Sequence, residues 1–201
     1  MKKTLAILTT CVLAVSAFAQ GKVTFGNDGN HLIVFVNDPS RLTSASGQNF
    51  ASLAGLALPQ LGTAQNTLNL FTAQLFAGTS AGAVSTLVAT QAPTGIAGNP
   101  DGRLANQTVT LPAGFPATTP TFFQIRIWET SAGNYANALA THVSGQTAVF
   151  SASPGSFAYS FLTTSTDWSG PITMSGPIPE PSTFVLAGLG LVSLLLFRRR
   201  K

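Results

Sequence analysis

Between Gly21 and Trp168, apolar residues come in short runs, and Gly, Pro, Asn, Ser and Thr interrupt them before several helical turns could form. Helical spacing is nearly absent, so strands are the predicted elements. Val23 and Phe25 alternate with polar neighbours in a first strand. Asn27-Asp28-Gly29-Asn30 gives a turn signal before the continuous apolar run 32–36, which suits a strand covered on both faces. Further strands are predicted within 68–77, closed by Gly78, and over 85–90, 107–111, 122–129, 148–150 and 157–162. The pattern is clearest at 122–129, where Phe123, Ile125 and Ile127 share one face and Gln124, Arg126 and Trp128 the other. In 157–162, Phe157, Tyr159 and Phe161 share a face. One helical stretch is predicted at 135–140, where Tyr135 and Leu139 are a turn apart.

About eight short strands with frequent turns predict an all-β, antiparallel domain over 20–162 with little helix. An immunoglobulin/fibronectin-like β-sandwich is the first architecture and a jelly roll the alternative. A Phe, Ile, Val and Leu core is enough for a domain of about 150 residues to fold alone. Residues 43–66 form a long, low-charge insertion, expected to be partly helical or poorly ordered. Residues 163–178 are rich in Ser, Thr, Gly and Pro and read as a tether.

Charge changes the picture at the two ends. Only 8% of the 201 residues are charged, against roughly 25% in ordinary soluble domains. The positive net charge of +4 belongs to the ends, where six basic residues lie: Lys2, Lys3, Arg198, Arg199, Arg200 and Lys201. The rest carries Lys22, Arg41, Arg103 and Arg126 against Asp28, Asp38, Asp101, Glu129, Asp167 and Glu180, a balance near −2. A charge-driven nucleic-acid binder is therefore excluded as an expectation. Residues 1–19 read as a secretory signal peptide: Lys2 and Lys3, a mostly apolar stretch from Leu5 to Phe18, then Ala17-Phe18-Ala19. Small residues at Ala17 and Ala19 place cleavage by signal peptidase before Gln20; an uncleaved anchor is the alternative. Cys11 lies in the apolar stretch, and Leu8-Thr9-Thr10 before it lacks the small residues of a lipid-attachment site. The mature chain would then contain no cysteine, which removes disulfides, thiolate metal sites and a Cys nucleophile.

At the other end, Pro179-Glu180-Pro181 and Ser182-Thr183 precede an apolar or small run from Phe184 to Phe197 and the basic group Arg198, Arg199, Arg200 and Lys201. As a helix this run is about 21 Å long, short of the ~30 Å hydrocarbon core. Basic side chains can snorkel to the interface and act as a membrane stop. The positive-inside bias keeps them cytoplasmic, with the body outside the inner membrane.

Pro179, Glu180 and Pro181, the short apolar run and the terminal basic cluster, in that order behind a signal peptide, resemble the PEP-CTERM sorting signal of bacterial envelope proteins. The resemblance implies cleavage near the box by an exosortase-type membrane protease. It further implies a transient inner-membrane anchor and release to the cell surface or extracellular matrix of an exopolysaccharide-producing, typically Gram-negative bacterium. Ala73-Gln74-Leu75-Phe76-Ala77-Gly78 and Phe123-Gln124-Ile125-Arg126-Ile127-Trp128-Glu129 are similar to the recurring β-domain of small PEP-CTERM proteins from Verrucomicrobia-like bacteria, a likeness that implies no activity.

Catalytic patterns are weak in the body. His31 and His142 are the only imidazoles, and no Gly-x-Ser-x-Gly elbow accompanies them. Asp28, Asp38 and Asp101 sit in turn contexts, and Asp28 with Asn30 falls short of a calcium loop. No phosphate-cradling glycine motif occurs. The expectation is therefore no catalytic residue, metal or cofactor. Arg126 and Glu129 are the charges hardest to assign to turns. Arg126 beside Trp128 is expected to be a stacked, sheet-stabilising cation; the functional alternative is a sugar-facing ligand surface formed by Arg126 with Trp128 or Trp168. Three functions remain: a non-enzymatic surface or matrix protein, a polysaccharide-binding module or adhesin, and a secreted hydrolase.

Overall fold

A computed structural model of the chain describes residues 20–59, 70–92, 102–155, 159–160 and 171–177. Among these residues the regular structure is mostly strand. β1 (Lys22–Phe25), β2 (Ile33–Phe35), β3 (Phe71–Gly78), β4 (Thr86–Gln91) and β5 (Gln107–Thr110) lie before the central β6 (Thr121–Glu129). After it come helix α1 (Tyr135–Thr141), β7 (Ser144–Gln146), β8 (Phe150–Ala152), β9 (Tyr159–Ser160) and β10 (Ile172–Met174). The remaining expected strand and tether residues, the signal segment and the C-terminal run 178–201 lie outside the described residues.

β6 organises the largest sheet, of order β4-β3-β6-β7. It pairs antiparallel with β3 along its length, from Phe71 opposite Glu129 to Gly78 opposite Phe122. Its other edge holds β7 and β8 in succession. Between them, buried Thr147 keeps the ladder continuous. Its N–H donates to the Ile125 carbonyl at 2.9 Å, and its hydroxyl oxygen accepts from the Ile125 N–H at 3.0 Å. The period-2 pattern has its expected consequence: Phe123, Ile125 and Ile127 are fully buried.

The core also takes in Val23 and Phe25 of β1 and Val109 of β5, from a sheet of order β5-β1-β9, and Ile33 and Phe35 of β2. All of these belong to one hydrophobic cluster. Phe35, Phe50 and Phe71 form its aromatic centre, with ring centroids 5.3 to 6.0 Å apart. The continuous run around β2 is less symmetric than expected: Ile33 and Phe35 are buried while Val34 and Val36 are half-exposed.

The described part of the 43–66 insertion is partly helical as expected, with a short 3-10 turn at Ala51–Leu53, and it is packed through buried Phe50, Leu53 and Leu58. These three reach the core while Leu56 stays exposed, a set too sparse for a periodic signal. Two other expectations need correction. Within the 163–178 stretch, Ile172 and Met174 are buried in β10 rather than solvated in a tether. Two alternating apolar residues suffice there because β2 supplies a ready edge. The pairing is also not purely antiparallel: β10 runs parallel to β2, and β9 parallel to β1. Parallel partners need long connections, and both C-terminal strands return beside strands from the start of the domain. Gly145 lets β10 approach β7 closely, since a Cβ there would lie 2.5 Å from the Thr173 carbonyl oxygen.

Candidate functional site

The polar face of β6 is covered by α1. Asn134 caps that helix, its side-chain oxygen accepting from the Asn137 N–H at 2.9 Å. Tyr135 and Ala138 then face the sheet, and Leu139 stays exposed. Trp128 is only 3% exposed and packs edge-on to Tyr135, ring centroids 5.9 Å apart. Its ring is therefore not presented to a ligand from outside. Arg126 lies between two aromatics, 4.3 Å from the Phe76 ring centroid and 5.6 Å from that of Tyr135. Its Nε donates to Gln124 Oε1 at 2.9 Å and its Nη2 to the Val84 carbonyl at 3.3 Å. This is the stacked, hydrogen-bonded cation of a sheet face. Burial raises the Tyr135 pKa, the nearby Arg126 charge opposing it, so the phenol stays neutral at ordinary pH. Trp168 lies outside the described residues.

Glu129 ends β6 and is 1% exposed. Its Oε1 accepts from the Ser46 hydroxyl and from the Ser131 hydroxyl, the latter at 2.8 Å. Oε2 is buried without a partner among the described residues. The carboxylate thus ties the 44–48 turn to the end of the central strand. Glu129 is an unusual charge in the sequence, but its partners are not legible there, because Ser46 lies in a serine-rich stretch with no distinguishing spacing.

The two imidazoles are far apart in role. His31 Nδ1 lies 2.6 Å from Asp28 Oδ1 inside the predicted turn. Burial pushes the Asp28 pKa up, but the His31 side chain and the Asn30 and His31 N–H groups outweigh it and hold the carboxyl below its usual value. Buried Asn27 fastens the same turn to the neighbouring chain, donating to the Gly102 carbonyl at 2.8 Å and accepting from the Leu104 N–H at 2.5 Å. His142 Nδ1 lies 2.7 Å from the Thr141 hydroxyl at the end of α1. Among the described residues no three His, Cys, Asp or Glu side chains gather where they could hold a metal ion.

At the C-terminal end of the described fold, Ser175 bridges to Ser144 and the Gly176 N–H donates to the Arg41 carbonyl. A groove of about 320 Å³ opens here between α1, β7 and the segment after β10, with Arg41 on its wall. Gln20 pairs with Pro116 in an isolated bridge. Ala17, Ala19, Pro179, Glu180, Pro181, Arg198, Arg199, Arg200 and Lys201 lie outside the described residues. Among the described residues no helix is long and apolar enough to cross a membrane.

The chain carries a PEP-CTERM protein-sorting motif, matched over residues 177–201. The motif implies export through a membrane-anchored sorting intermediate, with an exosortase as processing partner. No curated protein and no solved structure matches the chain.

Proposed function

We propose that this chain is a non-enzymatic, exported β-protein that becomes part of the cell surface or extracellular matrix. The observation that carries the reading is the sorting motif at 177–201. Signal peptidase removes residues 1–19 at the Ala17-Phe18-Ala19 site, leaving Gln20 first. The apolar run 184–197 then holds the chain in the inner membrane, body outside and Arg198–Lys201 in the cytoplasm. An exosortase cuts near Pro179-Glu180-Pro181 and releases the body. The body itself is proposed to be a two-layer sandwich, supported by the single core that β3 and β6 share with β1 and β5.

The chemistry of the two imidazoles supports a non-enzyme. His31 is engaged in a local turn with Asp28, three residues before it, and His142 with the adjacent Thr141. Neither lies on the groove beside Arg41. Cell fractionation tests the reading: the wild-type chain is expected in the surface fraction beginning at Gln20. A surface-fraction chain still beginning at Met1 would contradict the export route. A hydrolase activity of the purified protein abolished by His31→Ala or His142→Ala would contradict the non-enzyme assignment.

A further inference from the structure

We infer that the groove between α1, β7 and the segment after β10 is a binding site for a carboxylate-bearing saccharide, a uronate-type sugar. Its wall and floor are built by Arg41, Tyr135, Leu139, Gln146, Thr173 and Ser175. Among the described residues, Arg41 is the only group of full charge lining it, and no carboxylate does. Arg41 Nη2 donates to the Ser175 hydroxyl at 3.1 Å. Its Nε is buried with no hydrogen-bond partner among the described residues. A ligand therefore meets Arg41 at the groove wall through its terminal guanidinium nitrogens, and a carboxylate matches that charge and donor geometry.

The remainder of the lining suits a sugar ring rather than a bare anion. The Tyr135 ring and the 54% exposed Leu139 offer an apolar platform. Gln146, Thr173 and Ser175 surround it with one amide and two hydroxyls, each able to donate and accept. The volume of about 320 Å³ is at the small end for ligand sites, the size of a sugar unit or two. The site also adjoins the sorting motif, since Pro177 both lines the groove and begins the matched stretch. The inference rests on the export reading only in that release would bring the groove to saccharide outside the cell.

The test is calorimetric titration of the full-length chain in detergent with oligogalacturonate and with a neutral galacto-oligosaccharide of equal length. The acidic ligand is expected to bind about tenfold tighter or better, as for a hydrogen bond to a charged group, and to weaken as salt rises. Arg41→Gln should lose about tenfold for the acidic ligand alone. Because Arg41 also supports the fold, the exposed Leu139 supplies an independent pair: Leu139→Glu should weaken and Leu139→Lys strengthen acidic-ligand binding, with unchanged melting temperature. No binding, equal binding of both ligands, or indifference to the Leu139 charge pair would overturn the site. Binding that emerges only in Glu180→Gln would assign the groove to the chain's own box and overturn it too. Tail removal, scored in the same variants, reports separately on the sorting reading and should be unaffected by Arg41→Gln or Leu139→Glu.

Discussion

Met174→Ala discriminates between a packed last strand and a loose tether. Met174 is fully buried in β10, and its carbonyl accepts from the Val36 N–H at 2.8 Å. Truncation leaves that hydrogen bond in place and removes the side chain from a core that includes Ile33, Phe35 and Val143. Large-to-small changes of this kind cost about 2–5 kcal/mol, through lost transfer energy and the cavity left behind. In a domain of this size each kcal/mol lowers the melting temperature by about 2–4 °C, so a loss of about 3 kcal/mol corresponds to roughly 6–12 °C. A solvated tether would give a change within about 0.5 kcal/mol. Thr173→Ala is the control, since Thr173 is exposed between the two buried positions. Thermal unfolding of the full-length chain in detergent, followed by near-ultraviolet circular dichroism, measures both. A Met174→Ala melting temperature indistinguishable from that of Thr173→Ala would refute the packing of β10.

Glu129→Ala should destabilise the domain by about 1–3 kcal/mol, because it removes the hydrogen bonds from the Ser46 and Ser131 hydroxyls to the Glu129 side chain that tie the 44–48 turn to β6; denaturant unfolding checks this, and Ser46→Ala together with Glu129→Ala should cost less than the sum of the single changes. For Asp28, the folded carboxyl lies below its usual value, so its contribution to stability is present above the unfolded value and is lost as pH falls through the folded one. The stability advantage of wild type over Asp28→Asn, read from urea unfolding, should therefore be full at pH 6 and shrink on acidification below the ordinary aspartate value of 3.8; an advantage independent of pH would contradict the Asp28–His31 assignment.

Strong local patterns were legible in the sequence. The alternation of Phe123, Ile125 and Ile127 against Gln124, Arg126 and Trp128 is realised in β6, and Tyr135 with Leu139 marks α1. β7 and β10 were not legible. Ser144-Gly145-Gln146 has no apolar residue, and its place follows from pairing with Arg126, Ile127 and Trp128. Ile172-Thr173-Met174 has too short a pattern to stand out among Ser, Gly and Pro, and its strand exists only because β2 lies alongside. Trp128 shares the face of Arg126, as the period predicts, but its burial is a tertiary event imposed by α1. The groove had no sequence signature, since Arg41, Tyr135 and Thr173 are distant in the chain and only the return of β10 brings them together. The sorting signal, by contrast, is a contiguous motif and needs no fold to be read.

The central claim is that Pro179-Glu180-Pro181 is a processing signal rather than part of a permanent anchor. Two prolines fix φ and lack N–H groups, which keeps a segment extended and open to a protease before an apolar helix, and Glu180 between them offers a carboxylate to a cationic partner. Mass spectrometry of the surface fraction from a host with an active exosortase is the direct measurement. The account predicts a wild-type chain that lacks residues 184–201, and an all-alanine replacement of residues 179–181 that stays in the membrane with its tail attached. A wild-type surface chain that keeps Phe184 to Lys201 would contradict it.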